Sequence, residues 1–286
     1  MTPTQPYTTI ISAADLMSHL GDPDWLIFDC RFDLTNPEWG FLDYQGAHIP
    51  GAVFADLNQE LSAPVNEKTG RHPLPSPEAW IERLSGWGVT ADKQVVVYDT
   101  TGGSFASRMW WMLRWVGFTH AAVLDGGFAT WLQAGYPSSA GVERSRPAVF
   151  QGQIKQGLSV SADEVDLLRN DPRFVLIDAR APIRFRGESE FIDPVAGHIP
   201  GARNWFQGEN LGPEGRFLPP NQLRENYLRL MHGLPPSQVI FYCGSGVTSC
   251  QNILAMEMAG LPGARLYPGS WSEWIRDPRH AIMTGE

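Results

Sequence analysis

Cysteine is scarce in this chain, and long apolar runs are missing. The 286 residues include only three cysteines, Cys30, Cys243 and Cys250, which are too few for a disulfide framework and indicate a reducing compartment. No apolar run approaches the roughly 18 residues that a membrane span requires. The first residues also lack the basic and apolar segments of a signal peptide. We therefore expect a cytoplasmic protein that does not contact a membrane.

Positive charge is also in short supply. The formal net charge is −9, with 22 Lys and Arg against 31 Asp and Glu, whereas a nucleic-acid-binding surface is basic. We therefore expect no nucleic-acid partner. The histidines and cysteines show no spacing typical of a zinc site, so no metal or other cofactor is predicted. The length and the 43% hydrophobic content suffice for two domains, each with its own core.

The two halves of the chain repeat each other. "HIPGA" at 48–52 recurs at 198–202, and the apolar run "WLIFDCR" recurs as "FVLIDAR". Further along, "QVVVYD" matches "QVIFYC" and "GGFATW" matches "GSWSEW". Four matches in one order indicate duplication of a whole unit. The Pro and Gly of "HIPGA" are typical of a fixed turn, which gives that motif a structural role in both copies.

Short, continuously apolar runs alternate with segments of helical period in each half. We predict strands over 25–29, 94–98, 174–178 and 239–242, and helices over 104–116, 162–170 and 247–259. Continuously apolar strands separated by helices are typical of parallel sheets. The predicted fold class is therefore α/β, with two tandem domains that each contain a mostly parallel sheet flanked by helices on both faces. We place the domains at 1–140 and 159–286, joined by a linker at 141–158.

The stretch "VIFYCGSGVTSC" places Cys243 directly after a predicted strand and before a Gly-rich turn. Ligands of open α/β sheets bind at the carboxyl ends of strands. Gly244 and Gly246 allow backbone N–H groups to turn inward as an anion-binding nest, and the following helix adds the positive end of its dipole. Both effects favour the thiolate, which is the nucleophilic form of cysteine. The first half has Asp99 at the matching position.

A structural role is also open to each cysteine. Cys243 could be a small buried apolar residue, and Cys30 is expected in the core. Cys250 is expected to lie in the first turns of the helix and to face packing neighbours, although a resolving thiol that forms a disulfide with Cys243 is an alternative. A cysteine phosphatase or arsenate reductase would need Arg six positions after the cysteine, where Ser249 stands. A non-catalytic sulfur carrier is a further alternative.

The duplication, "RFRG" at 184–187, "CGSGVT" at 243–248 and "GSWSEW" at 269–274 resemble the two-domain rhodanese-like sulfurtransferases, in particular the mercaptopyruvate type. Thiosulfate-preferring members carry Arg-Lys directly after the cysteine, unlike this chain. The resemblance implies two rhodanese-like domains, the first without the catalytic cysteine. It also implies transfer of sulfur from 3-mercaptopyruvate through a Cys243 persulfide to cyanide, a thiol or thioredoxin. Thiosulfate is the alternative donor.

The resemblance also implies roles for individual residues. Cys243 would be the nucleophile, Ser245 and His48 would assist proton transfer, and Arg184 would hold the substrate carboxylate. The persulfide would be lined by Gly244, Ser245, Gly246, Val247 and Thr248. Arg186 is a further candidate for substrate binding, although a surface position would equally explain it. For His48, a role in the turn is an equal alternative.

One residue departs from the pattern of the resemblance. A second substrate-binding Arg is expected nine residues after Arg184, but Asp193 stands there. A carboxylate at that position would repel the carboxylate of a donor unless the loop follows another path. The sequence therefore leaves the preference between mercaptopyruvate and thiosulfate open.

Overall fold

The structure is a computed structural model and describes residues 5–286. The chain forms two compact units, each made of more than one segment. Unit 1 contains Met1–Ser62, Pro75–Lys155 and Pro213–Phe217, and unit 2 contains Ala63–Leu74, Gln156–Gly212 and Leu218–Glu286. These units differ from a simple division at residues 141–158, because Ala63–Leu74 packs with the second half although it lies in the first.

Unit 1 contains a parallel sheet of five strands in the order β1-β5-β4-β2-β3. The strands are β1 Ile10–Ile11, β2 Trp25–Asp29, β3 Val53–Phe54, β4 Gln94–Tyr98 and β5 Ala121–Leu124. The flanking helices are α1 Ala13–Ser18, α2 Trp39–Gly46, α3 Pro77–Gly86, α4 Ala106–Trp115 and α5 Gly127–Gln133. Every residue of the central strand β4 is buried, which explains its continuously apolar sequence.

Unit 2 repeats this plan with four parallel strands in the order β7-β6-β8-β9. The strands are β6 Val175–Asp178, β7 Arg203–Asn204, β8 Val239–Tyr242 and β9 Arg265–Leu266. The helices are α6 Ala162–Leu168, α7 Pro182–Phe185, α8 Pro220–Met231, α9 Ser249–Met258 and α10 Ser270–Trp274, with 3₁₀ turns at Gln207–Asn210 and Pro236–Gln238. The inner strands β6 and β8 are buried at every residue.

These elements confirm the α/β class and the four predicted strands. A capping box opens α6: the Ser161 hydroxyl accepts the Glu164 N–H at 3.2 Å, and the Glu164 carboxylate accepts the Ser161 N–H at 2.8 Å. Helix α9 begins at Ser249 rather than at 247. The reason is that 244–248 form the loop that surrounds Cys243 instead of the first helical turn.

The duplicated Asp-x-Arg sequence forms a buried ion pair in each unit. Arg31 binds Asp29 at 2.6 Å, and Arg180 binds Asp178 at 2.6 Å, with all four side chains at most 1% exposed. Each guanidinium also lies over the first aromatic ring of "GGFATW" or "GSWSEW", at 4.6 and 4.9 Å. Such cation–π contacts join the end of an inner strand, β2 or β6, to the last helix of the unit.

Candidate active site

Cys243 lies at the carboxyl end of β8, directly before the loop that leads into α9. Its N–H donates to the Ser270 hydroxyl at 3.1 Å, and its carbonyl accepts the Trp271 N–H at 3.0 Å. The Gly244 carbonyl accepts the Ser272 N–H at 2.9 Å. The duplicated "GSWSEW" segment therefore fixes the backbone on both sides of the thiol.

The environment of the Cys243 sulfur is enclosed but polar. The residue is 2% exposed, and this burial alone would raise the pKa of the thiol. The Thr248 and Ser249 hydroxyls and the backbone N–H groups of Ser245 and Ser249 act in the opposite direction, and the net result is a pKa below the ordinary thiol value. The Ser249 hydroxyl is buried and has no other hydrogen-bond partner. A buried apolar role for Cys243 would not need these donors.

The other predicted loop residues make contacts of their own in the loop after Cys243. Val247 is buried, and Gly246 contributes its carbonyl to the Cys250 thiol, which donates at 3.4 Å. Gly244 has guanidinium groups directly above it: a Cβ at this position would lie 2.8 Å from Arg71 Nη2 and 3.7 Å from Arg184 Nη2. A Cβ at 244 would therefore press against the end of the Arg71 side chain, whereas its distance from Arg184 is an ordinary contact.

Ser245 contacts a histidine that no sequence pattern singled out. The Ser245 hydroxyl lies 2.8 Å from Nδ1 of His72, and both residues are buried. His72 belongs to Ala63–Leu74, the segment of the first half that packs in unit 2. The segment "TGRHPLP" has no periodicity that places it in a sheet or helix, and only the "RH" pair in a Pro-rich loop could have drawn attention to it.

Arg184 lies beside the cysteine loop and is 9% exposed. Its Nε donates to both oxygens of Glu190 at 3.1 and 3.0 Å, and its Nη2 binds Asp193 at 3.0 Å. The other oxygen of Asp193 binds Arg71 Nη1. Asp193 therefore does not stand alone against a donor carboxylate, because it bridges two guanidinium groups next to Gly244.

Arg186 does not share the contacts of Arg184. It pairs with the carboxylate of Glu188 at 2.7 Å, and both side chains are substantially exposed. The structure therefore gives Arg186 the surface position that the sequence offered as its alternative role.

His48 makes the same kind of hydrogen bond and ring contact as its duplicate in unit 2, and its Nε2 lies 3.8 Å from Glu143. Its Nδ1 donates to the Tyr44 carbonyl at 2.8 Å, as that of His198 does to the Phe185 carbonyl at 2.8 Å. Each ring stacks on that aromatic residue, at 4.2 and 3.7 Å. Because both copies make one pattern within their own units, the geometry favours the turn role for His48, and the histidine at Ser245 is His72.

The remaining cysteines lie in packed surroundings. Cys30 is buried with its thiol 3.8 Å from the Met109 sulfur, and burial raises its pKa well above the ordinary value. Cys250 is buried within α9. Within residues 5–286 no cysteine is part of a disulfide. The part of the chain that the structure describes also contains no group of three or more His, Cys, Asp or Glu side chains arranged for a metal ion.

No helix between residues 5 and 286 combines the length and the apolar character needed to cross a bilayer.

Sequence comparison finds the Rhodanese-like domain twice, at residues 12–134 and 161–277. The chain belongs to the rhodanese-like family. This rhodanese-like protein is 49% identical over 279 residues to the "Probable 3-mercaptopyruvate sulfurtransferase" of Pseudomonas aeruginosa, covering 97% of this chain and 98% of the relative. It is 34% identical over 253 residues to the thiosulfate sulfurtransferase of Cricetulus griseus, covering 85% of this chain and 83% of the relative.

A solved structure has the same fold. The 3-mercaptopyruvate sulfurtransferase from Leishmania major superposes with a TM-score of 0.84 at 32% identity, covering 96% of this chain and 75% of that chain. These relatives are sulfurtransferases, and this rhodanese-like protein is an enzyme of that type. The two rhodanese-like domains predicted from the sequence are therefore confirmed.

Proposed function

We propose that this enzyme takes sulfur from 3-mercaptopyruvate, holds it as a persulfide on Cys243 and passes it to a thiophilic acceptor. The observation that carries the proposal is the ring of hydroxyl and N–H donors around the Cys243 sulfur, which favours the thiolate despite 2% exposure. The relatives whose names include 3-mercaptopyruvate support this donor.

The first half-reaction is an attack of the Cys243 thiolate on the sulfur of mercaptopyruvate. The new S–S bond forms as the donor's C–S bond breaks, and the electron pair of that bond stays on carbon as the enolate of pyruvate. The enolate takes the proton that the donor thiol loses, so pyruvate and an enzyme persulfide are the products. In the second half-reaction, an acceptor such as cyanide takes the outer sulfur as thiocyanate, and the Cys243 thiolate returns.

We assign the transfer of that proton to Ser245 and His72. Ser245 follows Cys243 by two residues, and its hydroxyl contacts the His72 ring at 2.8 Å. A hydroxyl that shares a hydrogen bond with imidazole can accept a proton from one group and deliver it to another without leaving its position. We assign to His72 the role that the resemblance had suggested for His48.

Arg184 is the proposed partner of the donor carboxylate. Glu190 holds its Nε edge, while Nη1 makes no hydrogen bond within residues 5–286 and lies 3.8 Å from the Cβ position of Gly244. If the carboxylate of mercaptopyruvate binds above Gly244, the thiol at the other end of the donor points toward Cys243. The loop residues Gly244, Ser245, Gly246, Val247 and Thr248 would then line the transferred sulfur.

The proposed acceptors are cyanide, small thiols and thioredoxin, and the proposed compartment is the cytoplasm. All of these acceptors are nucleophiles that can attack the outer sulfur of a persulfide. The low cysteine count of the chain supports a reducing environment.

The decisive experiment compares the two donors on the same protein. We expect a higher kcat/KM with mercaptopyruvate than with thiosulfate, and intact-mass analysis after each donor should detect one additional sulfur that cyanide removes. If neither donor leaves an additional sulfur on the protein, the persulfide route is contradicted.

Thiosulfate is the second candidate donor. It is favoured by the relative of Cricetulus griseus and by the two guanidinium groups near Gly244, which would bind a sulfonate as well as a carboxylate. A kcat/KM that is higher with thiosulfate would select this candidate.

A further inference from the structure

We propose that Arg71 is a second anion-binding residue of the donor site, and that Asp193 positions it. This inference rests on the proposed function, because it concerns the carboxylate of the same donor. It adds to the site a residue from Ala63–Leu74, which packs in unit 2 but lies far from Cys243 in sequence.

The backbone of Arg71 is fixed against the segment that also holds the cysteine loop. Its N–H donates to the Ser272 hydroxyl at 3.0 Å, and the neighbouring Gly70 packs so closely on Gly269 that a Cβ at Gly70 would lie 2.5 Å from the Gly269 carbonyl oxygen. The Ser272 N–H in turn binds the Gly244 carbonyl. Arg71 and the loop are therefore connected through one short segment.

One edge of the Arg71 guanidinium, formed by Nε and Nη2, makes no hydrogen bond with residues 5–286. Asp193 binds Nη1, whereas Nε is buried and has no hydrogen-bond partner, and Nη2 makes none among residues 5–286. The Nε and Nη2 pair is the side-on fork that binds a carboxylate through two parallel hydrogen bonds. Arg31 and Arg180 use this same edge to bind Asp29 and Asp178. In Arg71 this edge pairs with no carboxylate of residues 5–286, and Nη2 lies 2.8 Å from the Cβ position of Gly244.

Asp193 holds the guanidinium of Arg71 in position beside the loop. Its carboxylate is 1% exposed and bridges Arg71 to Arg184, which Glu190 holds from the other side. Asp193 thereby offsets the repulsion between two cations and takes up only the Nη1 side of Arg71. The buried Nε of Arg71 makes no hydrogen bond among the described residues, and a bound carboxylate would supply the acceptor that this N–H lacks.

The test measures donor and acceptor kinetics separately in variants of the full-length enzyme. Arg71→Met should raise the KM for mercaptopyruvate about 10- to 100-fold, the loss expected for charge-assisted hydrogen bonds, with the KM for cyanide unchanged. Arg71→Lys, which keeps the charge but loses the fork, should give an intermediate KM. Arg173→Met is the matched control, because it breaks an exposed Arg–Asp pair of the same unit and should leave both constants unchanged.

A charge exchange provides the rescue. Asp193→Arg combined with Arg71→Asp restores one cation and one anion at the two positions, and should recover at least about tenfold in donor KM over Arg71→Asp alone. Unchanged donor KM in both Arg71→Met and Arg71→Lys would overturn the inference, as would equal changes in the constants for donor and acceptor. If the wild-type enzyme fails to form a persulfide with mercaptopyruvate, the proposed function itself fails, so the two failures are distinguishable.

Discussion

The Asp99 loop of unit 1 and the Cys243 loop of unit 2 occupy the same place in their units. Each follows an inner strand, β4 or β8, and precedes the helix that packs on that strand. A backbone N–H of the last helix closes each loop: Phe128 donates to the Asp99 carbonyl at 3.0 Å, as Trp271 donates to the Cys243 carbonyl at 3.0 Å. The two loops therefore share one backbone framework.

The difference lies in the group that each framework surrounds. The Asp99 carboxylate accepts four backbone N–H groups. They belong to Thr101, Gly103, Phe105 and Ala106, at 2.8, 2.9, 2.8 and 2.9 Å. In unit 2, N–H groups two and six residues after Cys243 act on its sulfur, as the equivalent ones in unit 1 act on Asp99. The anion site therefore belongs to the fold, whereas the chemistry depends on the residue placed in it.

The largest effect is expected from removing the reactive atom. Cys243→Ser should lower kcat/KM by at least roughly 10³-fold, because the covalent intermediate cannot form. Steady-state kinetics and intact mass would measure this. Cys250→Ala is the matched control, a buried thiol of the same unit, and should change kcat/KM less than about twofold. Comparable losses in both variants would make Cys250 a catalytic thiol and remove the contrast between the loops.

The opposite pattern is expected in unit 1. Asp99→Ala should lower the free energy of unfolding by about 3 kcal/mol, because four N–H groups lose a charged acceptor, and should leave donor KM unchanged. Urea unfolding would measure it, with Cys243→Ala as the reference variant at less than about 1 kcal/mol. A stable Asp99→Ala variant would mean that the carboxylate does not hold the loop together.

Ser270 and Gly127 occupy matching positions in the two units. Both have left-handed backbone, with φ of +54° and +58°, a conformation that costs a non-glycine residue about 1 to 2 kcal/mol. Unit 2 bears that cost and gains the hydroxyl that binds the Cys243 N–H. Ser270→Gly should therefore lower kcat about tenfold through a misplaced thiol while unfolding free energy stays within about 1 kcal/mol. A loss of stability without loss of kcat would contradict the positioning role.

The smallest effect concerns pH. The hydroxyl and N–H donors lower the Cys243 pKa. The thiolate therefore forms at a lower pH than an ordinary thiolate does, and it is lost as pH falls through this pKa. Thr248→Val removes one donor, so the midpoint of single-turnover persulfide formation should move upward by about 0.5 to 1 pH unit. A midpoint that stays in place or moves downward would show that Thr248 does not stabilise the thiolate.

The strands and the Cys243 loop could be predicted from the sequence because their signals are local. Apolar runs such as 94–98 and the Gly residues after Cys243 determine their own conformation. His72 and Arg71 could not be placed in this way, since they lie in an aperiodic Pro-rich loop whose position depends on tertiary packing. The same limit applied to Asp193. The sequence showed a carboxylate where a second Arg was expected, but it could not show the two guanidinium groups that bind this carboxylate.

The segment Ala63–Leu74 belongs to unit 2, although in sequence it lies between two segments of unit 1. A fragment that begins at residue 156 would keep Cys243 and its loop but would leave behind the imidazole of His72 and the guanidinium of Arg71. Such a fragment would lack the histidine that contacts Ser245 and the arginine that lies beside Gly244. A fragment that keeps unit 2 whole must therefore include 63–74, and a fusion of this segment to the second half would be the most compact way to make it.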